Sequence, residues 1–90
     1  VNGNGVRFYY WDNGQKSGQL SFKDNKWHGP LASWHENGQK DWERTYKDGK
    51  KHGLETQWHE NGQKRRERTY KDDKPISDKR WYKDGSPVPE

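Results

Sequence analysis

The sequence contains no cysteine and no methionine, and it is poor in apolar residues of every kind. Without cysteine there are no disulfide bonds and no thiolate metal sites, and the redox compartment stays open. Apolar side chains make up 23% of the 90 residues and charged side chains make up 36%. No apolar run reaches the length of a membrane span. This composition excludes a large globular core and allows one small domain at most.

Aromatic residues are the exception to this shortage, because they make up 14% of the chain and include six tryptophans. Disordered chains are poor in such residues. The sequence therefore predicts a folded chain whose thin core consists of rings and the stems of long polar side chains. The net charge of +4 is mild and is compatible with acidic partners without requiring them.

A stretch of eight residues recurs along the chain. Residues 33–40 read SWHENGQK, and residues 57–64 read QWHENGQK, 24 positions later. An earlier copy, YYWDNGQK, lies 24 positions before at residues 9–16, and a degraded copy closes the series at residues 80–85. A fixed period of this length is typical of a repeat architecture in which each unit is one supersecondary element.

Each unit reads as a β-hairpin, because runs of β-forming residues alternate with turn sequences such as Asp12-Asn13-Gly14. No segment has the apolar spacing of a helix. The sequence predicts an all-β fold, a single-layer antiparallel meander of repeated hairpins. Its seven predicted strands are residues 6–11, 16–23, 30–35, 40–46, 54–59, 65–70 and 78–83.

The predicted repeat sheet covers residues 1–85, about three and a half repeats, and opens on a lead-in or turn at residues 1–5. Residues 86–90 contain two prolines and are predicted to be a tail or linker that cannot continue the ladder. The first strand has a single charge, Arg7, and is the sheet edge predicted to pair with another chain.

The spacing of the rings predicts which of them share a face. One ring recurs in every strand at intervals of 12 residues, and once of 11. If every turn is a three-residue loop with a left-handed glycine, these rings all point the same way. Two-residue loops would place Trp34 and Tyr46 on opposite faces and scatter the apolar residues, so burial favours three-residue loops. The predicted aromatic face consists of Tyr10, Phe22, Trp34, Trp42, Tyr46, Trp58, Tyr70 and Trp81.

The same register places Lys40 and Lys64 between rings, with their stems over the aromatic surface. It places Glu43, Glu55 and Glu67 on an opposite, polar face. The residues predicted to contact an anion are Lys40, Lys64, Arg66 and Arg68.

The units resemble the MORN repeat (membrane occupation and recognition nexus), in particular its bacterial variant. The residues that match run over 46–54 (YKDGKKHGL) and 58–64 (WHENGQK), and residues 22–40 match less well. The resemblance covers roughly residues 5–85, and the sequence departs from it at residues 73–76 (DKPI).

The resemblance implies an elongated, curved, single-layer sheet without catalytic activity. Members of this family serve as scaffolds, as dimerisation or protein-binding modules, and as proposed phospholipid-binding modules; some bacterial relatives are labelled antitoxins. The function expected here is a non-catalytic scaffold or protein-binding module that uses the aromatic face, with another protein or a second copy as partner. The alternatives are an anionic phospholipid-binding module, a cell-wall glycan- or choline-binding repeat, and an antitoxin-like protein.

Titratable side chains form no catalytic or metal-binding pattern in the sequence. The four histidines occupy two repeat positions, and equivalent positions lie two strands apart, too far to share one ion. The carboxylates fall in turns and on the polar face, where a single-layer sheet offers no cleft to raise a pKa. We therefore expect no catalytic, cofactor-binding or metal-binding residues, and no binding of nucleic acid.

Overall fold

The computed structural model describes residues 4–89, and among them it contains eight β-strands and no helix. The strands are β1 (Gly5–Tyr10), β2 (Lys16–Lys23), β3 (Lys26–Trp27), β4 (Gly29–Trp34), β5 (Lys40–Lys47), β6 (Lys50–Trp58), β7 (Lys64–Lys71) and β8 (Lys74–Arg80). Residues 1–3 of the predicted lead-in lie outside the described part of the chain.

All strands belong to one antiparallel sheet with the order β1-β2-β4-β5-β6-β7-β8, and β3 pairs with β2. β3 and β4 both pair with β2, and each of the other strands after β1 pairs with the one before it. The predicted up-and-down meander of hairpins is therefore confirmed. The sheet measures 45 × 36 × 9 Å. Its smallest dimension corresponds to a single layer, since two stacked sheets would add a spacing of about 10 Å.

Two kinds of turn alternate along the chain, whereas three-residue loops were predicted at every turn. The first kind is a three-residue loop: Trp11 N–H donates to Gln15 O at 2.7 Å, Gly14 N–H donates to Trp11 O at 2.9 Å, and Gly14 has φ +89°. The second and third hairpins repeat this geometry at residues 36–38 and 60–62. The prediction of three-residue loops with left-handed glycines is confirmed at these positions.

The turns between hairpins are two-residue loops, so the assumption of three-residue loops is wrong there. Lys47 pairs with Lys50, and the two residues between them, Asp48 and Gly49, have φ of +51° and +83°. Positive φ at both central positions is the requirement of a type I′ turn, whose twist matches that of the flanking strands. Asp24-Asn25 and Asp72-Asp73 form the two equivalent turns.

The register also differs from the prediction because β2, β5 and β7, the second strands of the three hairpins, each contain a β-bulge. Tyr10 pairs with Lys16, but Tyr9 pairs with Gly18, so Ser17 is an extra residue in β2. Asp41 and Arg65 are the extra residues in β5 and β7. Beyond each bulge the numbers of cross-strand partners add to an odd value, as for Ala32 and Glu43 or for Thr56 and Glu67. Three-residue loops throughout would give partners whose residue numbers add to an even value, so the predicted register is wrong over most of the sheet.

The turns of successive hairpins are joined by a ladder of asparagines. The amides of Asn13 and Asn61 donate to the carbonyls of Glu36 and Lys83 in the next turn, both at 2.8 Å. Asn37 makes the same contact at 3.5 Å. Each asparagine Oδ1 also accepts the N–H of the glutamine two residues on, at 2.9 Å. One side chain thus fixes its own turn and the distance to the next.

The C-terminal part of the sheet differs from the prediction. The last strand is residues 74–80 rather than 78–83, and it includes Pro75 on the sheet edge, where no donor is needed. The chain then makes a fourth turn, in which Gly85 N–H donates to Tyr82 O at 2.9 Å. Trp81 forms a bridge with Pro87, and Val88 N–H donates to Arg80 O at 3.0 Å. The expectation that residues 86–90 cannot pair is wrong for this segment, while the domain boundary after residue 85 stays a prediction.

The core is small and lies on both sides of the sheet. Leu31, Tyr46 and Tyr70 are buried on one side. Ser21, Ala32 and Thr56 are buried on the other, beneath longer neighbouring side chains. By strand alternation, Ala32 and Thr56 face away from Leu31. The single layer thus has two thin cores instead of the one predicted.

Candidate binding surfaces

The sheet presents two chemically different faces. We call the side that bears Trp34, Lys40 and Trp58 the Trp–Lys face, and the side that bears Arg44 and Glu55 the Arg–Glu face. The assignment follows from register: Trp34 lies opposite Lys40, whereas Tyr46 lies opposite Gly29, which points to the other side of β4. Trp34 and Tyr46 therefore lie on opposite faces, and the prediction of one shared aromatic face is wrong.

A row of alternating aromatic and lysine side chains crosses the Trp–Lys face. In strand order the row consists of Phe8, Lys16, Trp34, Lys40, Trp58, Lys64 and Trp81. Lys16 Nζ lies 4.8 Å from the ring centre of Phe8 and 5.8 Å from that of Trp34. In the next two repeats the ammonium lies 5.9 Å from the following tryptophan ring. These are cation–π distances, so the prediction that Lys40 and Lys64 lie over rings is confirmed.

Carboxylates hold two of these lysines in place. Lys40 forms an ion pair with Glu43, and Lys64 Nζ lies 2.9 Å from Glu67 Oε2. The equivalent position in the first repeat is Gln19, which has no charge to offer Lys16. The lysine nearest the N-terminal edge thus keeps its full charge available for other contacts.

A carboxylate between two arginines is the centre of the Arg–Glu face. Glu55 is 1% exposed, and its Oε1 accepts hydrogen bonds from Arg68 Nε at 2.9 Å and Arg68 Nη2 at 2.5 Å. Arg44 Nε lies 2.8 Å from Glu55 Oε2, without the alignment of a hydrogen bond. The two guanidinium groups lie over rings, 4.5 Å from Trp42 and 5.4 Å from Tyr70. Charge and aromatic surface are combined here by arginine rather than lysine.

A second ion-pair cluster lies beside the first, on β7 and β8. Arg66 and Arg80 are directly opposite each other, and like charges in that position repel. Asp78 relieves the repulsion with a bidentate contact to Arg66, at 3.0 and 2.7 Å, and a weaker one to Arg80 at 3.5 Å. The hydrogen bonds from Arg66 hold the pKa of Asp78 below its usual value, and they raise the pKa of Arg66.

The predicted binding residues are divided between the two faces. The Trp–Lys face bears Tyr10, Trp34, Trp58, Trp81, Lys40 and Lys64, and the Arg–Glu face bears Phe22, Trp42, Tyr46, Tyr70, Arg66 and Arg68. The predicted anion contacts are thus not brought together, because the bulge at Arg65 sends Lys64 to the side opposite Arg66. The role of all these residues in binding stays a prediction.

The outer strand β1 is the most open apolar part of the sheet. All six of its residues are exposed, and Val6, Phe8 and Tyr10 keep 54%, 41% and 60% of their surface accessible. These three side chains continue the Trp–Lys face to its N-terminal edge. The predicted pairing edge therefore combines free backbone groups with apolar side chains.

Sequence reasoning missed Glu55 and assigned it to an exposed polar face. The available signal was its position between two arginines at similar distances, Arg44 eleven residues before and Arg68 thirteen residues after. Among residues 4–89 there is no group of three or more histidine, aspartate or glutamate side chains placed to hold a metal ion. The same part of the chain has no helix long and apolar enough to cross a membrane.

Comparison with known families supports the repeat reading. A model of the MORN repeat variant matches residues 3–24 and residues 51–72. The first match covers β1 and β2, the second covers most of β6 and β7, and their starting points, residues 3 and 51, are two 24-residue periods apart. Curated proteins and solved structures yielded no match to the chain.

Proposed function

The chain belongs to the MORN repeat family, and we propose from this that it is a non-catalytic scaffold whose first partner is a second copy of itself. Repeats of this family are commonly involved in interactions with proteins or membrane lipids, and the family is generally non-catalytic. The observation that supports this proposal is the exposed strand β1, which forms one edge of the sheet and is covered by no other element among residues 4–89.

The two edges of the sheet differ in a way that favours β1 as the pairing edge. The β8 edge contains Pro75 and the charged Lys79 and Arg80, and part of its continuation is already paired by the bridge between Trp81 and Pro87. Proline and charge are the features that keep edge strands from pairing. The β1 edge has neither proline nor lysine, and a new strand there would gain main-chain hydrogen bonds.

Antiparallel pairing of two β1 strands around a two-fold axis normal to the sheet would join like faces. With Phe8 opposite Phe8, the side chain of Val6 in one copy would face Tyr10 in the other. The row of rings and lysines would then continue across the junction, and the exposed apolar surface of β1 would be buried. An isologous contact of this kind closes at a dimer and does not grow into a filament.

The test is a matched pair of substitutions at the two edges. Val6→Lys places a charge on the β1 edge, while Ile76→Lys makes the same change at a side chain that is 64% exposed on β8. We expect dimers in concentrated wild-type protein and in Ile76→Lys, and monomers in Val6→Lys, as measured by sedimentation equilibrium. Circular dichroism should show the same β content in all three.

A backbone substitution gives an independent test of the same edge. Phe8→Pro removes one N–H and fixes φ in β1, so it should abolish pairing while leaving the remaining hairpins folded. Wild-type protein that stays monomeric at millimolar concentration, or a dimer that Val6→Lys leaves intact, would contradict self-association.

Anionic phospholipid is the second candidate, and the lysines of the Trp–Lys face favour it. The three lysines of the row recur every second strand, about 9–10 Å apart, on one side of a flat sheet. Flotation with phosphatidylserine vesicles tests this, with Lys16→Ser as the variant of the Trp–Lys face. Lys51→Ser is its control, since Lys51 lies over Tyr70 on the Arg–Glu face. The glycan alternative has less support, because lysines occupy the space over the rings that sugars would need.

A further inference from the structure

The returning strand of the third repeat differs from that of the second repeat at only two positions, which are adjacent. Residues 39–48 read QKDWERTYKD, and residues 63–72 read QKRRERTYKD. Asp41 and Trp42 are thus replaced by Arg65 and Arg66, and the other eight residues are identical. Whatever these two arginines do is specific to the third repeat.

The fold itself does not require the two arginines. Asp41 and Arg65 are the extra residues of equivalent bulges, and Trp42 and Arg66 pair with equivalent residues of the preceding strands, Ser33 and Gln57. The second repeat therefore forms the same hairpin with an acidic and an apolar side chain at these positions. The ion pair with Asp78 gives Arg66 a structural role, but no ion pair among the described residues gives one to Arg65.

The arginines line a pocket on the Arg–Glu face at the C-terminal end of the sheet. The pocket has a volume of about 300 Å³, and its polar lining is formed by Gln57, His59, Arg65, Arg66, Arg80 and Lys83. This volume is at the small end of the range for ligand pockets. His59 Nε2 lies 3.0 Å from the carbonyl oxygen of Trp81, an interaction that fixes the imidazole against the pocket wall.

The charge of this pocket is only partly neutralised. Asp78 is the carboxylate that pairs with Arg66 and Arg80, and it lies beside the lining rather than in it. Between residues 4 and 89, no ion pair involves Arg65 or Lys83. Asp41 and Glu60 border the adjoining depression, which Arg65 and Lys83 also line. Four cationic side chains therefore line this small space, and the three carboxylates lie beside it rather than in its lining.

We propose that this pocket binds a soluble phosphomonoester as its dianion. A dianion places negative charge among the four cationic side chains of the lining, and its three terminal oxygens suit several donors converging from different strands. Arginine guanidinium groups present parallel N–H donors that match phosphate oxygens. Gln57 supplies a further neutral donor, and Tyr82, which also borders the pocket, offers a ring beside which the ester group can lie.

The test is calorimetric titration of the chain with phenyl phosphate. Wild-type protein should bind one equivalent, and diphenyl phosphate, a monoanion, should bind more weakly. Arg65→Asp copies Asp41 of the second repeat into the pocket, so the hairpin is expected to fold. Loss of one charge-assisted hydrogen bond should weaken binding about 10- to 100-fold. Lys47→Asp makes the same change of charge at the exposed end of β5 and should leave the affinity within about twofold, since solvent screens distant charges.

Three outcomes would overturn the proposal. One is the absence of saturable phenyl phosphate binding to the wild type, and another is equal weakening by Arg65→Asp and Lys47→Asp, which would indicate nonspecific attraction. The third is binding to phosphatidic acid vesicles without binding to phenyl phosphate, which would place the phosphomonoester in a membrane rather than in solution. Since the pocket is remote from β1, none of these outcomes affects the proposed self-association.

Discussion

At the scale of single residues, the most deeply buried large side chain of the described chain is a carboxylate, Glu55. Its two oxygens face Arg68 and Arg44, whose side chains are 20% and 25% exposed. Burial of a charge costs free energy unless it is paired, and here two guanidinium groups share one partner. The stability of the central strands therefore depends on a residue type that is seldom found inside a protein.

Glu55→Gln should destabilise the protein strongly, because it leaves two arginines without their shared counter-ion. We expect a loss of about 3 kcal/mol in the free energy of unfolding, measured by urea denaturation. Glu43→Gln is the matched control, since Glu43 pairs with Lys40 and its side chain is 40% exposed. That change should cost at most about 1 kcal/mol. Equal losses in the two variants would show that Glu55 contributes no more than a surface ion pair.

Asp78 should make stability depend on pH in the acid range. Its pKa in the folded protein is lowered, mainly by the hydrogen bonds from Arg66, relative to the ordinary value of 3.8. A lowered folded pKa means that the stabilisation is complete above 3.8 and is lost as the pH falls through the folded value. The gap in melting temperature between wild type and Asp78→Asn should thus be largest at about pH 7 and close at about pH 2. A gap that persists unchanged in acid would exclude this pair as its source.

At the scale of the hairpin, the sequence predicts the turns better than the faces. The period, the strand order and the Asn-Gly loops follow from residues such as Asn61 and Gly62, whose conformational preferences are local. The bulges have no comparable sequence signal. Their extra residues, Ser17, Asp41 and Arg65, differ in size and charge, because a bulge is defined by the pairing across the strands and not by residue type. A missed bulge exchanges the faces of the residues that follow it until the next shift of register restores them. Trp42 and Tyr46 were therefore assigned to the face of Trp34 and Trp58.

The same reasoning explains which site residues were found. Lys40 and Lys64 were placed beside the rings because that contact lies between the turn and the bulge, where the predicted register holds. Trp42, Glu43 and Glu67 lie beyond the bulges and were assigned to the wrong faces. Glu55 does lie on the face opposite the tryptophan row, but it is buried there rather than exposed. The pocket at Arg65 was not foreseen, since it depends on a fourth turn around Lys83 and on Val88, in a segment that was predicted to be a tail.

The two-residue turns make a prediction about backbone strain. Gly49→Ala should destabilise by about 1–2 kcal/mol, because an L-residue is disfavoured in the left-handed region that Gly49 occupies at φ +83°. A new Cβ would lie 3.8 Å from Lys26, an ordinary contact, so the cost is one of backbone conformation alone. Gly18→Ala is the control, since its Cβ would also meet neighbours at 3.7 Å or more while its φ is not positive. Thermal unfolding that ranks Gly18→Ala as the costlier change would refute the assignment to strain.

At the scale of the whole molecule, the sheet is a one-dimensional array, because each strand contacts mainly the strands beside it in the sheet. Stability in such an array is close to a sum of local terms, and it falls toward the ends. The buried residues Tyr46, Glu55 and Tyr70 lie in β5, β6 and β7, whereas every residue of β1 and β8 is exposed. The two ends therefore open more easily than the centre.

Amide hydrogen exchange should reveal this gradient and also the proposed pairing. In dilute protein, we expect the slowest exchange in β6 and fast exchange in both β1 and β8, because outer strands open without disturbing the core. At high protein concentration β1 should gain protection while β8 does not, since only the β1 edge is expected to pair. Val6→Lys should remove this gain. Equal protection of β1 and β8 at every concentration would exclude self-association along β1. It would leave the prediction of easily opened outer strands intact.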